Sequence, residues 1–133
     1  MGEMIVPTDE KEQYLIDACE TQAKNPTSCF KIMRGVFKAD SGFCKDGVAA
    51  RTNNCGNMRP GSGKYGDKTI SWTSYAVPGN GYFRKYSTMK DGIFDNVALY
   101  SQLYEGKSVE YMRDVWAHAG QNWANTVYQS INQ

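Results

Sequence analysis

The chain has 133 residues, a formal net charge of +1 and 22% charged residues. That length suits one domain, residues 1–133, built on a single core, and the near-zero charge argues against a nucleic-acid binder, which gathers basic residues on one face. Mean hydropathy is −0.60, and no apolar run approaches the roughly 20 residues of a membrane span.

The N-terminal segment, Met1-Gly2-Glu3-Met4-Ile5-Val6-Pro7, lacks the basic and long apolar regions of a signal peptide. Thr8 followed by Asp9 and Glu10 signals a helix start, with Thr8 as N-cap and negative charge at the positive end of the helix dipole. This helix reads to about Lys24, with Tyr14, Leu15, Ala18 and Cys19 facing inward. Asn25-Pro26 interrupts the pattern and restarts it, Asn25 capping and Pro26 tolerated in the first turn.

The second helix, residues 26–40, carries the most informative pattern. On a wheel of about 100° per residue, Phe30, Met33, Val36 and Phe37 make one apolar stripe, and Asp40 falls in its middle. A carboxylate so placed is either satisfied by buried donors or held partly dry with a raised pKa, the state a general acid needs. Ser41-Gly42 ends the helix. Residues 44–66 show no sustained period, and their Gly, Asn, Pro and Ser content indicates ordered loop. Asn53, Asn54 and Asn57 either lock that loop through side-chain to backbone bonds or turn amides toward a ligand. Gly61-Ser62-Gly63-Lys64 lacks the spacing of a phosphate-binding loop.

Residues 68–77 are β-branched and aromatic, Pro78-Gly79-Asn80-Gly81 is a turn, and residues 82–86 return, so a hairpin is predicted. Thr88 then caps a helix with Ile93, Val97, Tyr100 and Tyr104 on one face, ended by Gly106. Ser108 caps a short helix with Val109, Met112, Val115 and Trp116 inward, and Asn122 starts a last one carrying Trp123, Val127 and Ile131. The expected architecture is α+β and mainly helical, with about five helices and one small hairpin.

The four cysteines, at 19, 29, 44 and 55, lack the CxxC spacing of a zinc site. Two disulfides are expected, Cys19–Cys29 and Cys44–Cys55, each closing a loop of about ten residues. Four cysteines allow three pairings, and buried free thiols are the alternative. Bridged cysteines imply an oxidising compartment. His118 is the only histidine, no Ser or Cys sits in a nucleophile motif, and no cluster has metal-ligand spacing, so neither a catalytic triad, a metal nor a cofactor is expected.

Two segments resemble a known family. Lys38-Ala39-Asp40-Ser41-Gly42-Phe43, closing a buried helix, resembles the ESGF segment of lytic transglycosylases and goose-type lysozymes, in which the catalytic glutamate ends a helix. Arg51-Thr52-Asn53-Asn54-Cys55-Gly56-Asn57-Met58-Arg59 resembles the NNPGNxR motif of a bacterial and phage branch of the lysozyme-like superfamily. The order and spacing match over residues 14–131, with two departures: Asp40 stands where the family has Glu, and Cys55 where it has Pro.

The resemblance implies a lysozyme-like fold whose hairpin flanks a substrate groove. It implies a glycosidase, lytic transglycosylase or muramidase, cutting the MurNAc-GlcNAc backbone of peptidoglycan with Asp40 as general acid/base. Ser41, Asn53, Asn54, Asn57, Trp72, Tyr75 and Tyr82 become candidate substrate contacts. Asp67 is the leading candidate for a second carboxylate and Asp46 a weaker one, while Glu20 and Glu105 beside helix ends read as solvated. The implied setting is periplasm, cell exterior or phage virion. The implied partners are glycan strands and a secretion or phage assembly, for a protein that is itself a monomer. The alternative is a catalytically silent relative that binds wall glycan or serves as a structural part of such an assembly.

Overall fold

The computed structural model describes residues 5–133, so the reading of no signal peptide lies partly outside the described residues. Helix α1 (Glu10–Gln22) starts one residue later than its first capping signal, because Asp9 rather than Thr8 is the N-cap: its side chain accepts the Glu12 N–H at 3.0 Å. A carboxylate is the stronger acceptor at the positive end of the dipole. Helix α2 (Pro26–Ser41) has Asn25 as N-cap, accepting from the Ser28 N–H at 3.1 Å. It ends where Gly42 turns left-handed (φ 58), with the Gly42 N–H on the Lys38 carbonyl and the Phe43 N–H on the Phe37 carbonyl, a glycine-terminated helix end.

Helix α3 (Gly47–Thr52) lies in the stretch expected to be loop. It is followed by strands β1 (Thr73–Val77) and β2 (Gly81–Lys85), antiparallel with Tyr75 opposite Phe83 and Ala76 opposite Tyr82. Helix α4 (Met89–Leu99), capped by Thr88, widens into a π-helical turn over Tyr100–Tyr104. Helix α5 (Val109–Met112), capped by Ser108, does the same over Arg113–Ala117. Helix α6 (Gln121–Ile131) follows with Gly120 as N-cap. The architecture is mainly helical α+β. No helix among the described residues is long and apolar enough to cross a membrane.

Antiparallel packing of α2 on α6 sets the site. A Cβ on Gly35 would lie 2.8 Å from Val127 Cα and 2.9 Å from Ser130 Cβ, so the missing side chain lets the two backbones close up. Ser130 Oγ donates to the Lys31 carbonyl at 2.6 Å and accepts from Arg34 Nε at 2.8 Å. Those bonds fix the register that brings Trp123, near the start of α6, to the end of α2. Disulfides Cys19–Cys29 and Cys44–Cys55 tie α1 to α2 and close the loop after α2.

Val115 departs from its expected inward position and is 43% exposed. The π-helical turn over Arg113–Ala117 adds a residue to the helical circuit, which shifts the apolar face that a regular 3.6-residue period would predict. Glu105, read as solvated, instead accepts the backbone N–H groups of Lys24 and Asn25 at 3.1 and 2.9 Å, joining the α1–α2 connection to the end of the Tyr100–Tyr104 turn.

Candidate active site

Asp40 lies in the last turn of α2, one residue before the helix ends. Its Oδ1 accepts the indole Nε1–H of Trp123 at 2.7 Å, and its Oδ2 is buried with no hydrogen-bond partner. Burial pushes the carboxyl up to about 7, against the smaller opposing effects of the Trp123 and Trp116 indole N–H groups, which favour the charged form. A carboxylic acid in that range is half protonated at neutral pH and can deliver a proton there.

Asp40 borders a cleft of about 680 Å³. One wall is the segment 56–65 with Asn80, Phe83 and Arg84 behind it. The other is supplied by Leu99, Tyr104 and the Val115–His118 stretch, so both π-helical turns abut the cleft. Trp116 closes the walls against each other, its Nε1–H donating to the Gly56 carbonyl at 3.0 Å and its ring meeting Tyr104 edge-on at 5.2 Å. Gly56 permits this closeness: a Cβ there would stand 2.8 Å from the Trp116 ring and 2.4 Å from Asn96 Oδ1.

The wall of residues 59–65 hangs on one buried cation. Arg84, 3% exposed, pairs with Asp95 at 2.9 Å and donates to the carbonyls of Arg59, Pro60 and Tyr65 at 3.0–3.1 Å. Asp95 also accepts from the Tyr86 hydroxyl and, at 2.6 Å, from the Asp67 N–H. Burial, together with the neighbouring Asp95 charge, drives the Tyr86 hydroxyl far above its ordinary value, so it stays a donor. Removing one partner from such a pair strands a buried charge.

Of the candidate contacts read from sequence, Asn57 borders the cleft beside Asp40. Its backbone is left-handed (φ 53), its Nδ2 donates to the Asp40 carbonyl at 3.3 Å, and its Oδ1 is buried and unpartnered. The structure uses Ser41, Asn53 and Asn54 differently. Ser41 Oγ accepts the Cys44 N–H and lies 2.8 Å from the Cys55 carbonyl, to which it donates. Asn53 caps α3 and donates to the Tyr86 carbonyl at 3.0 Å. Asn54, fully buried, donates to the Met58 and Arg84 carbonyls and accepts from Met58 N–H and Asn96. Ser41 thus ties the loop to the end of α2, while Asn53 and Asn54 lock it against the end of β2 and against α4.

None of Trp72, Tyr75 and Tyr82 borders the cleft. Trp72 lies under the Arg84 guanidinium at 4.3 Å, Tyr75 accepts from Arg51, and Tyr82 is exposed on β2. Asp67 is also elsewhere: its carboxylate accepts from Thr69 and from Gln22. Asp40 is thus the only carboxylate among the described residues that border the cleft. Asp46 precedes α3 without a side-chain capping bond. Among the described residues, no three His, Cys, Asp or Glu side chains group as a metal site would require.

The residues that sequence reasoning missed are Trp123, Trp116, Arg84 and Asp95. The two tryptophans read as ordinary members of apolar stripes. Asp95 had a signal of the same kind as Asp40, a carboxylate on a helix amid apolar neighbours.

Neither a family model nor a curated protein matches the sequence. Among solved structures, the fold is shared with the catalytic domain of the autolysin Auto from Listeria monocytogenes. The two match with a TM-score of 0.52 at 14% identity, over 96% of this chain and 86% of that one.

Proposed function

We propose that the protein is a glycosidase that cleaves the peptidoglycan backbone, with Asp40 as its general acid. The observation that carries this is a single one: a carboxyl group at the edge of a cleft, oriented through one oxygen by Trp123, unpartnered at the other, and raised to about 7 by burial. Glycosidic cleavage needs a proton delivered to the leaving oxygen as positive charge develops at the anomeric carbon. The ESGF-like and NNPGNxR-like segments and the fold shared with an autolysin catalytic domain support a cell-wall substrate. Two disulfides fit work in an oxidising compartment such as the periplasm or cell exterior.

That Asp40 is the one carboxylate among the described residues along the cleft supports the lytic transglycosylase course over an inverting hydrolase, which activates its water with a carboxylate about 6.5–9.5 Å from the acid. In that course Asp40 protonates the leaving oxygen, and the conjugate carboxylate then accepts the proton of the sugar's own C6 hydroxyl as it closes on the anomeric carbon. Lysis of purified bacterial walls by the wild type, lost in Asp40→Asn, tests the glycosidase. The mass of the released muropeptides tests the course, since the anhydro product is lighter by one water. Wall lysis that survives Asp40→Asn unchanged would remove Asp40 from the chemistry.

A further inference from the structure

Resting on that glycosidase function, we propose that Arg59 and Lys64 form a carboxylate-binding rim on the cleft, so that the preferred substrate is an acidic glycan and these two residues distinguish it from a neutral one. The charges along the cleft do not balance. Among the described residues Asp40 is its only acid, whereas Arg59, Lys64 and Arg84 all border it. Arg84 is neutralised by buried Asp95 at 2.9 Å. Arg59 and Lys64 are exposed, and neither forms an ion pair among the described residues.

Arg59 is nevertheless held in place. Its guanidinium donates to the Asn80 carbonyl, to Asn80 Oδ1 at 3.1 Å and to the Tyr82 carbonyl at 3.3 Å, and lies 4.1 Å from the Phe83 ring centroid. All of these partners are neutral, so the cation is oriented without being compensated. Its side-chain entropy is largely spent before any ligand arrives. Lys64 is carried on the same wall by the turn in which the Gly63 N–H donates to the Pro60 carbonyl at 3.1 Å, and Arg84 anchors that turn from beneath through Pro60 and Tyr65. A planar, pre-positioned guanidinium with a flexible ammonium on one wall matches carboxylate groups spaced along a sugar chain.

The carboxylate has two possible sources: an acidic ether attached directly to the sugar, or the acidic groups of a short peptide linked through that ether. Three soluble tetrasaccharides separate them: neutral chitotetraose, a peptide-free peptidoglycan tetrasaccharide with free lactyl carboxylates, and its peptide-bearing form. Dissociation constants are measured calorimetrically with Asp40→Asn protein, which leaves the ligands intact, and with the same protein also carrying Arg59→Gln and Lys64→Gln. At least one acidic ligand is expected to bind about tenfold tighter than chitotetraose, the gain from two solvent-exposed charge pairs, and whichever gains identifies the source. Glutamine at both positions brings it to the chitotetraose level. Raising salt from 0.05 to 0.5 M does the same in the parent, without any substitution at the rim. Equal affinity for neutral and acidic ligands, or a preference that survives both glutamines, overturns the rim while leaving the glycosidase intact. Failure of all three to bind overturns the glycan substrate itself, and the rim with it.

Discussion

Trp123 Nε1 and Asp40 Oδ1 meet at 2.7 Å across 83 residues of chain. The bond joins α6 to the final turn of α2 and holds one carboxyl oxygen while leaving the other unpartnered. Because an indole N–H favours the ionised form, it restrains the upward push of burial. Trp123→Phe should therefore raise the Asp40 pKa above about 7 and move the alkaline limb of the kcat/KM profile to higher pH. It should also lower kcat about tenfold or more, through loss of orientation. A pH profile on purified walls decides it; an unmoved limb would mean that another group titrates.

Asp40 should also make stability fall as pH rises. Its folded pKa of about 7 exceeds the ordinary 3.8, so between those values the native state holds a proton that the unfolded chain has released. Stability is then greatest, as far as this group is concerned, below about pH 4 and declines until about pH 7, by roughly 4 kcal/mol at full effect. Asp40→Asn removes that dependence. Denaturant melts at pH 5 and pH 8 should show the variant gaining over wild type, and gaining more at pH 8; a constant difference would refute the burial cost.

Gly92→Ala reverses the usual sign. Inside an exposed helix this change stabilises by about 1 kcal/mol, but in α4 the added Cβ would lie 1.8 Å from the Asn53 carbonyl oxygen and 3.1 Å from the Tyr86 ring. Neither the backbone carbonyl nor a buried ring gives way cheaply, so a net loss of about 2–3 kcal/mol is expected. At this chain length that is roughly a 10 °C fall in Tm. Calorimetry of the variant checks it, and an unchanged Tm would mean that α4 and the Asn-rich loop are not in this contact.

What could be read in advance followed from local rules. The caps at Asn25, Thr88 and Ser108, the stripe of α2, Gly42 as its stop and both disulfide pairings rest on neighbours within about a dozen residues. Helix α3 escaped because its six residues, begun by glycine with no side-chain cap, are too short for a period to emerge. The hairpin does flank the cleft, through Asn80, Phe83 and Arg84, but its Trp72, Tyr75 and Tyr82 do not reach it, and the facing wall comes from Tyr104 and Trp116. Their placement depends on two π-helical turns that no residue spacing announces. Likewise, Arg84 reads as an ordinary strand residue until Asp95 is found beside it.

The Cys44–Cys55 bridge closes the stretch of chain that runs from just after Asp40 to just before Asn57, so reduction should affect both stability and catalysis. It spans 11 positions, and closure of such a loop contributes roughly 2–3 kcal/mol in the chain-entropy account. Cys44→Ser with Cys55→Ser should lower stability by about that amount. It should also reduce wall lysis at temperatures where the variant is still folded, because the Cys55 carbonyl receives the Ser41 hydroxyl just after Asp40. Equal activity in folded variant and wild type would restrict the bridge to stability.

The substitution that tests how closely the site is fitted to its acid is Asp40→Glu. A longer side chain would restore the residue of the family that the ESGF-like segment resembles, and an attenuated enzyme would gain from it. The packing argues the opposite. The present carboxyl already reaches Trp123 at 2.7 Å, its second oxygen is buried, and Trp116 lies alongside, held to Gly56 at 3.0 Å. An added methylene must displace the carboxyl from the Trp123 N–H or force an indole aside, and proton transfer tolerates displacements of only about an ångström. Asp40→Glu is therefore expected to lose about tenfold or more in wall lysis. Asp40→Asn should lose the roughly 10²–10⁴ that positioned proton transfer supplies, while remaining folded by circular dichroism. Higher activity in Asp40→Glu than in wild type would show that the two indoles yield, and that the cleft is shaped for glutamate after all.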